Sequence, residues 1–289
     1  MYTFFILNNI FIGILNGKKE IKLLTVVNIF SSFFVLLFSV FFINSYSLSG
    51  ALIAISVNQG LVIFVTLFFL RGKGWFKFSS FTLPVNIVYI KDVLSFASIT
   101  LFSVLFANTS TFLVRYLLIG NLGVTEAGIW QGMWSICQAF LLILSMSMSV
   151  YIVPIISKLN NRAIEKEVKK ILAFVFPVFL SVCLMGFIFR DYIILVLFSD
   201  EFLAARNLFL WHMIGLSLKS IAWVYGYILV VKKQVFNVFI SELSAAVLLV
   251  ISTFYFINFF GVVGTSYAFF ITSLLHCLLT FFFYKNYLR

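Results

Sequence analysis

Runs of apolar residues, each close to the roughly 20 needed to cross a bilayer as a helix, follow one another along nearly the whole of this 289-residue chain. Inside hydrocarbon every backbone N–H and C=O must find its partner within the protein, so a succession of such runs is compatible with a bundle of helices and little else. Nine runs are read, at about 1–15, 24–43, 50–70, 93–117, 128–156, 171–189, 207–230, 236–257 and 262–284. With 63% hydrophobic residues, 10% charged residues and a mean hydropathy of +1.15, the composition lies far from that of soluble domains. The expected fold class is an all-α polytopic membrane protein with about nine transmembrane helices.

The formal net charge of +11 does not point to a nucleic acid, because the basic residues sit in small groups between apolar runs and form no single patch. They set the topology instead. Alternate loops collect Lys18, Lys19 and Lys22; Arg71, Lys73, Lys77 and Lys91; Lys158, Arg162, Lys166, Lys169 and Lys170; Lys232 and Lys233; and Lys285 and Arg289, which is 16 of the 20 basic residues. The positive-inside rule therefore puts the C-terminus in the cytoplasm and, with nine spans, the N-terminus outside. The first run is short, lacks a basic leading segment and has no small-residue cleavage site, so it reads as the remainder of a helix and the chain as N-terminally truncated.

An internal repeat supports that expectation. Shifted by 214 residues, positions 14–71 align with 228–285 without a gap and with about 13 identities in 58 positions. Ile14-Leu15 falls on Ile228-Leu229, Lys18-Lys19 on Lys232-Lys233, Phe42-Ile43-Asn44 on Phe256-Ile257-Asn258, and Gly50 on Gly264. Spans one to three thus repeat spans seven to nine in the same orientation. The expected organisation is a three-helix remnant of an N-terminal lobe at 1–70, a cytoplasmic linker at 71–90 containing Gly72, Gly74 and Pro84, and a complete six-helix lobe at 91–289. Between spans six and seven, Arg190–Arg206 has an apolar centre, Tyr192–Phe198, too short to cross; it reads as an interfacial or re-entrant helix.

Polar groups within the apolar runs are the candidates for function. On span five, Gln131, Ser135, Gln138, Leu142, Ser145 and Ser149 recur at steps of four and three and make one nearly continuous stripe that must face protein or water. Lys219 lies near the middle of span seven, where an ammonium costs a few kcal/mol even on insertion scales. His212, Gly215, Lys219, Trp223 and Gly226 share its face, which is expected to line a cavity; the alternative is a Lys neutralised by a carboxylate for structure alone. Arg115, with Asn108 and Thr111 before it on one face, either lines a water-facing stripe or snorkels to the outer interface. Glu242, two turns into span eight, is a candidate ion-pair partner for Lys219 or a proton site.

Other features have simpler readings. Gly128 and Gly132 form a small-residue step for close helix packing, and Pro154 and Pro177 can kink spans five and six. His212 and His276 have no metal partner at a useful spacing, and Cys137, Cys183 and Cys277 read as free buried thiols. No paired-carboxylate loop, Gly-rich phosphate loop or nucleophile elbow is present, and the loops are too short for an extramembrane catalytic domain. No enzyme constellation, cofactor site or metal site is read from these residues.

The runs Gly128-Ile129-Trp130-Gln131-Gly132, Ser149-Val150-Tyr151-Ile152-Val153-Pro154, Phe189-Arg190-Asp191-Tyr192 through Phe198-Ser199-Asp200-Glu201-Phe202, and Tyr225-Gly226-Tyr227-Ile228 resemble the C-terminal half of the bacterial O-antigen and lipid III (enterobacterial common antigen) flippases. These belong to the superfamily that includes the multidrug and toxin extruders. The resemblance covers about 91–289 and implies two six-helix lobes around a central cavity. It further implies an undecaprenyl-pyrophosphate-linked oligosaccharide as substrate, moved from the inner to the outer leaflet of the bacterial inner membrane by alternating access. A glycan polymerase and a chain-length regulator would be its partners. Lys219 and Arg115 would then compensate the pyrophosphate, while His212, Gln131, Gln138 and Ser145 hydrogen-bond the headgroup. The other readings are a cation-coupled exporter of small molecules, a membrane-embedded glycan polymerase or transferase, and an inactive truncated fragment.

Overall fold

A computed structural model describes residues 2–18, 20–76 and 87–289. Nearly all of them are helical, and among the described residues no strand occurs. The chain is an all-α polytopic membrane protein. It divides into two compact units, Met1–Val85 and Asn86–Arg289. The first holds α1 (Tyr2–Gly17) and α2 (Ile21–Leu70). The second holds α3 (Ile87–Leu122), α4 (Val124–Ile156), α5 (Asn161–Ile188), α6 (Arg190–Leu197), α7 (Phe209–Val231), α8 (Val235–Phe260) and α9 (Gly264–Leu288).

Several helices begin earlier than their apolar runs. α5 starts at Asn161, ten residues before the apolar run expected from 171, because Asn160 caps it by accepting a hydrogen bond from the Ala163 amide at 3.0 Å. Its first turns carry Arg162, Lys166 and Lys169 outside the hydrocarbon, and hydropathy registers only the part that follows. α3 likewise starts at Ile87, so the last residues of the expected linker at 71–90 are already helical; positions 77–86 of that linker, with Lys77 and Pro84, lie outside the described residues. Once nucleated, a helix extends at the gain of one hydrogen bond per residue, across a charged stretch as readily as an apolar one.

In the first unit, spans two and three are the two arms of α2, which folds back at Ser47. Asn58 donates to Ser39 Oγ at 2.8 Å, the Phe30 and Phe69 rings lie 5.2 Å apart, and Thr66 donates to Asn8 Oδ1 at 2.6 Å, tying α1 to the outgoing arm. The internal repeat has a structural counterpart in each unit. The Glu20 amide reaches the Leu15 carbonyl at 3.1 Å, and 214 positions on the Gln234 amide reaches Leu229 at 2.8 Å. A Cβ on Gly50 would overlap the Phe42 carbonyl oxygen, and one on Gly264 would overlap that of Phe256. Between them lies the reversal, built on Ser47 (φ 50°) in one unit and Gly261 (φ 56°) in the other. The same left-handed turn is thus made by a glycine once and by a serine once, and only the serine bears the steric cost of its Cβ.

The second unit is centred on α7, which is enclosed along most of its length; Phe209, Leu216, Val224 and Ile228 are fully buried. Two glycines let aromatic rings in. A Cβ on Gly215 would come 2.7 Å from Phe269 Cδ1, and one on Gly186 of α5 would come 2.9 Å from Phe140 Cζ. Because lipid is as apolar as leucine, such contacts stabilise through packing density more than through escape from water. α6 is eight residues long and leads into a 3₁₀ segment, Asp200–Leu208. Too short to cross, the pair packs against the end of α4: Phe198 and Phe202 stack 5.0 Å apart over Gly132, whose Cβ would lie 3.1 Å from Phe202. The Gly128–Gly132 step therefore receives these rings at Gly132, while Gly128 faces open space.

Ser47→Gly should raise the thermal unfolding midpoint of the purified chain and Gly261→Ser should lower it, each by the equivalent of about 1 kcal/mol. No side-chain contact crowds Gly261, so the change there isolates backbone strain.

Candidate functional site

Lys219 lies midway along α7, one turn beyond Gly215. Its Nζ lies 5.5 Å from the centre of the Phe269 ring of α9, a cation–π contact. Phe269 is a hub: it also stacks on His212 at 5.1 Å and meets Trp134 edge-on at 5.8 Å. The ring can sit so close to α7 only because position 215 has no side chain. Around the ammonium opens a cavity of about 370 Å³ within the second unit, bounded by α3, α4, α7, α8 and α9.

The cavity brings together several groups that the sequence scattered over 170 residues of chain or more between its ends. From α3 come Ser103, Ser110 and Thr111; from α4, Trp134 and Gln138; from α8, Ser241 and Glu242; from α9, Thr272 and His276. Lys219 and Glu242 line the same space, yet among the described residues no ion pair of 4.0 Å or less joins them. Both ring nitrogens of His276 and the hydroxyl of Thr272 are buried without a protein partner. A buried imidazole and hydroxyl left open in this way are costly unless water or a ligand completes them.

Of the residues singled out from sequence, Lys219, Gln138 and Glu242 line this cavity, as do Trp223 and Gly226. His212 does not. It lies fully buried behind Phe269, where Nδ1 is 3.0 Å from both the Leu208 carbonyl and Ser266 Oγ. A carbonyl oxygen only accepts, so Nδ1 carries the proton there, and the ring ties α7 to α9. The face expected to run from His212 to Gly226 is split by Phe269, whose ring covers its first turn. Arg115 and Gln131 bond to each other, Nη2 to Oε1, near the α3–α4 turn and outside the cavity. Ser145 is also outside; its hydroxyl bonds back to Leu142 and its carbonyl accepts from Tyr227 at 3.4 Å. The stripe of α4 thus divides, with Gln138 alone of Gln131, Gln138 and Ser145 reaching the cavity.

Trp134, Thr272 and His276 complete the site without having been singled out for it. Thr272, His276 and Thr280 recur every four residues on α9, a polar stripe readable from the sequence by the criterion applied to α4. Among the described residues no group of His, Cys, Asp or Glu could hold a metal ion. Cys137, Cys183 and Cys277 are free thiols.

Comparison with solved structures shows what this architecture is. A MOP-superfamily transporter from Pyrococcus furiosus superposes with a TM-score of 0.80 at 14% identity, covering 97% of this chain and 66% of that one. A MATE transporter in complex with MaL6 gives 0.82 at 15% identity over the same shares. The fold is that of the MATE transporters of the MOP superfamily. In sequence, the chain is 29% identical over 228 residues to the lipid III flippases of Escherichia coli K12 and of Shigella flexneri. The match covers 78% of this chain and 55% of either relative, so the chain spans about half the length of the curated proteins it matches. No family model matches it.

If the cavity is water-filled, a membrane-impermeant maleimide should label Thr111→Cys and Gln138→Cys in a chain whose three native cysteines are replaced by alanine. His212→Cys, sealed behind Phe269, should label at least tenfold more slowly; equal rates would contradict that enclosure.

Proposed function

We propose that the chain translocates a lipid-linked oligosaccharide, its sugars joined through pyrophosphate to undecaprenol, from the inner to the outer leaflet of a bacterial inner membrane. The observation that carries this reading is the Lys219 ammonium, held against an aromatic ring in a cavity that also holds several polar side chains, with no carboxylate in ion-pair contact among the described residues. A pyrophosphate headgroup brings anionic oxygens that can pair with this ammonium, and Thr111, Gln138, Thr272 and His276 offer hydrogen bonds to sugars. The tail stays in the lipid while the headgroup passes through by alternating access. The similarity to lipid III flippases supports the substrate class.

In this reading 1–70 and 91–289 belong to two lobes joined by a cytoplasmic linker at 71–90, and the C-terminus faces the cytoplasm, as the distribution of lysine and arginine favours. A glycan polymerase and a chain-length regulator would take up the product. A second reading, export of small amphipathic molecules coupled to a cation, is favoured by the MATE fold. It would rest on Glu242, the one carboxylate among the residues lining the cavity.

Lys219→Ala should abolish surface-glycan export in a strain that lacks its own flippase and is complemented by this chain, while membrane insertion is retained. Export at the level of the unsubstituted chain would remove Lys219 from the substrate path.

A further inference from the structure

The turn that joins α1 to α2, together with the residues just beyond α2, forms a second cluster of charge in the first unit. Glu20 is its centre. It accepts hydrogen bonds from Lys73 Nζ and, at 2.8 Å, from Trp75 Nε1. Lys18 Nζ lies 5.1 Å above the Trp75 ring, and Arg71 caps the same end of α2. These contacts, Lys73 foremost and Trp75 next, hold the Glu20 carboxyl below the usual carboxylate range. A depressed carboxylate keeps its charge above the ordinary value and surrenders it only as pH falls through the lowered one, so at neutral pH the clasp is complete.

The clasp leaves an excess. Lys73 and Lys18 both act on the one carboxylate, Lys22 lines the crevice beside it, and among the described residues Lys22 meets no acidic partner. That crevice is shallow, about 570 Å³ in volume, and is lined by the charged side chains Glu20, Lys22 and Lys73 and by the apolar Ile21, Leu23 and Val26. A site with cations, apolar side chains of a lipid-spanning helix and an indole beside them matches a ligand that is anionic at one end and hydrocarbon at the other. The equivalent turn of the second unit is put to another use. Gln234 replaces the carboxylate, and Lys232 donates to the Leu159 carbonyl at 2.9 Å, fixing the α4–α5 connection.

We infer that the Lys22–Lys73 crevice binds the phosphate of an anionic phospholipid, with Ile21, Leu23 and Val26 against its acyl chains. Glu20 competes with the phosphate for Lys73 and so limits the affinity. The inference is independent of the transport reading, and its test does not measure transport.

Native mass spectrometry of the full chain, purified in detergent with equal amounts of phosphatidylglycerol and phosphatidylcholine, reads the retained lipid directly. Phosphatidylglycerol should be retained preferentially. Lys22→Gln, which leaves the Lys73–Glu20–Trp75 contacts intact, should weaken that retention about fivefold, and Glu20→Gln should strengthen it by a similar factor, as Lys73 is released to the phosphate. A clasp with a structural role alone would lose thermal stability on Glu20→Gln and leave the lipid ratio unchanged. That outcome, or equal retention of the two lipids by the unsubstituted chain, overturns the inference. Displacement of the lipid by millimolar inorganic phosphate would also overturn it, by showing a site for free phosphate with no part for the acyl chains.

Discussion

An ammonium group placed midway along a helix surrounded by hydrocarbon must be hydrated, paired or kept away from lipid. In this protein the requirement falls on Lys219, and much of the second unit is arranged to meet it. Gly215 gives up its side chain so that Phe269 can approach α7, and Phe269 presents its ring to the charge. Glu242 lies across the same cavity without closing on the ammonium. In the proposed function this separation leaves the ammonium open to an anionic headgroup.

Rigidity around that cavity comes from the neighbouring packing. His212 is drawn away from the cavity to join α7 to α9, sandwiched against the same phenylalanine that supports Lys219. The hairpin of α8 and α9 turns on Gly261 and closes through Gly264, and the hairpin within α2 turns on Ser47 and closes through Gly50. Equivalent backbone devices at positions 214 apart show that the repeat is one of structure as well as of charge pattern. The two copies have diverged in their polar contents: Asn28 stands where the second has Glu242, and Glu20 where it has Gln234. The second copy placed its carboxylate inside the membrane, at the cavity, whereas the first placed one at the turn.

The spans were legible because hydrocarbon admits no other use for long apolar runs, and Lys219 was legible because a lysine within one stands out on composition alone. Helix starts were less so, since the charged turns at Asn161 and the approach to Ile87 carry no hydropathy signal. The break between spans two and three was expected, but the residue that makes it, Ser47, was hidden because serine rarely takes a positive φ, and its equivalence to Gly261 shows only once the repeat is laid over the backbone. Periodicity grouped His212 with Lys219, and Arg115 and Gln131 with a cavity, because spacing along a helix says which residues share a face and not what covers it. The deciding cover is Phe269, one of 39 phenylalanines, with nothing in the sequence to mark it. His276 and Thr272, by contrast, could have been found from the four-residue step on α9.

In the proposed function Lys219 compensates a lipid-borne anion during its passage across the bilayer. The most direct measurement is transbilayer movement of a fluorescent undecaprenyl-pyrophosphate-linked sugar in liposomes reconstituted with the purified chain. Movement should exceed that in protein-free liposomes and should fall to the protein-free rate with Lys219→Met, which keeps the length of the side chain and removes its charge. Movement undiminished by Lys219→Met would contradict that role for Lys219.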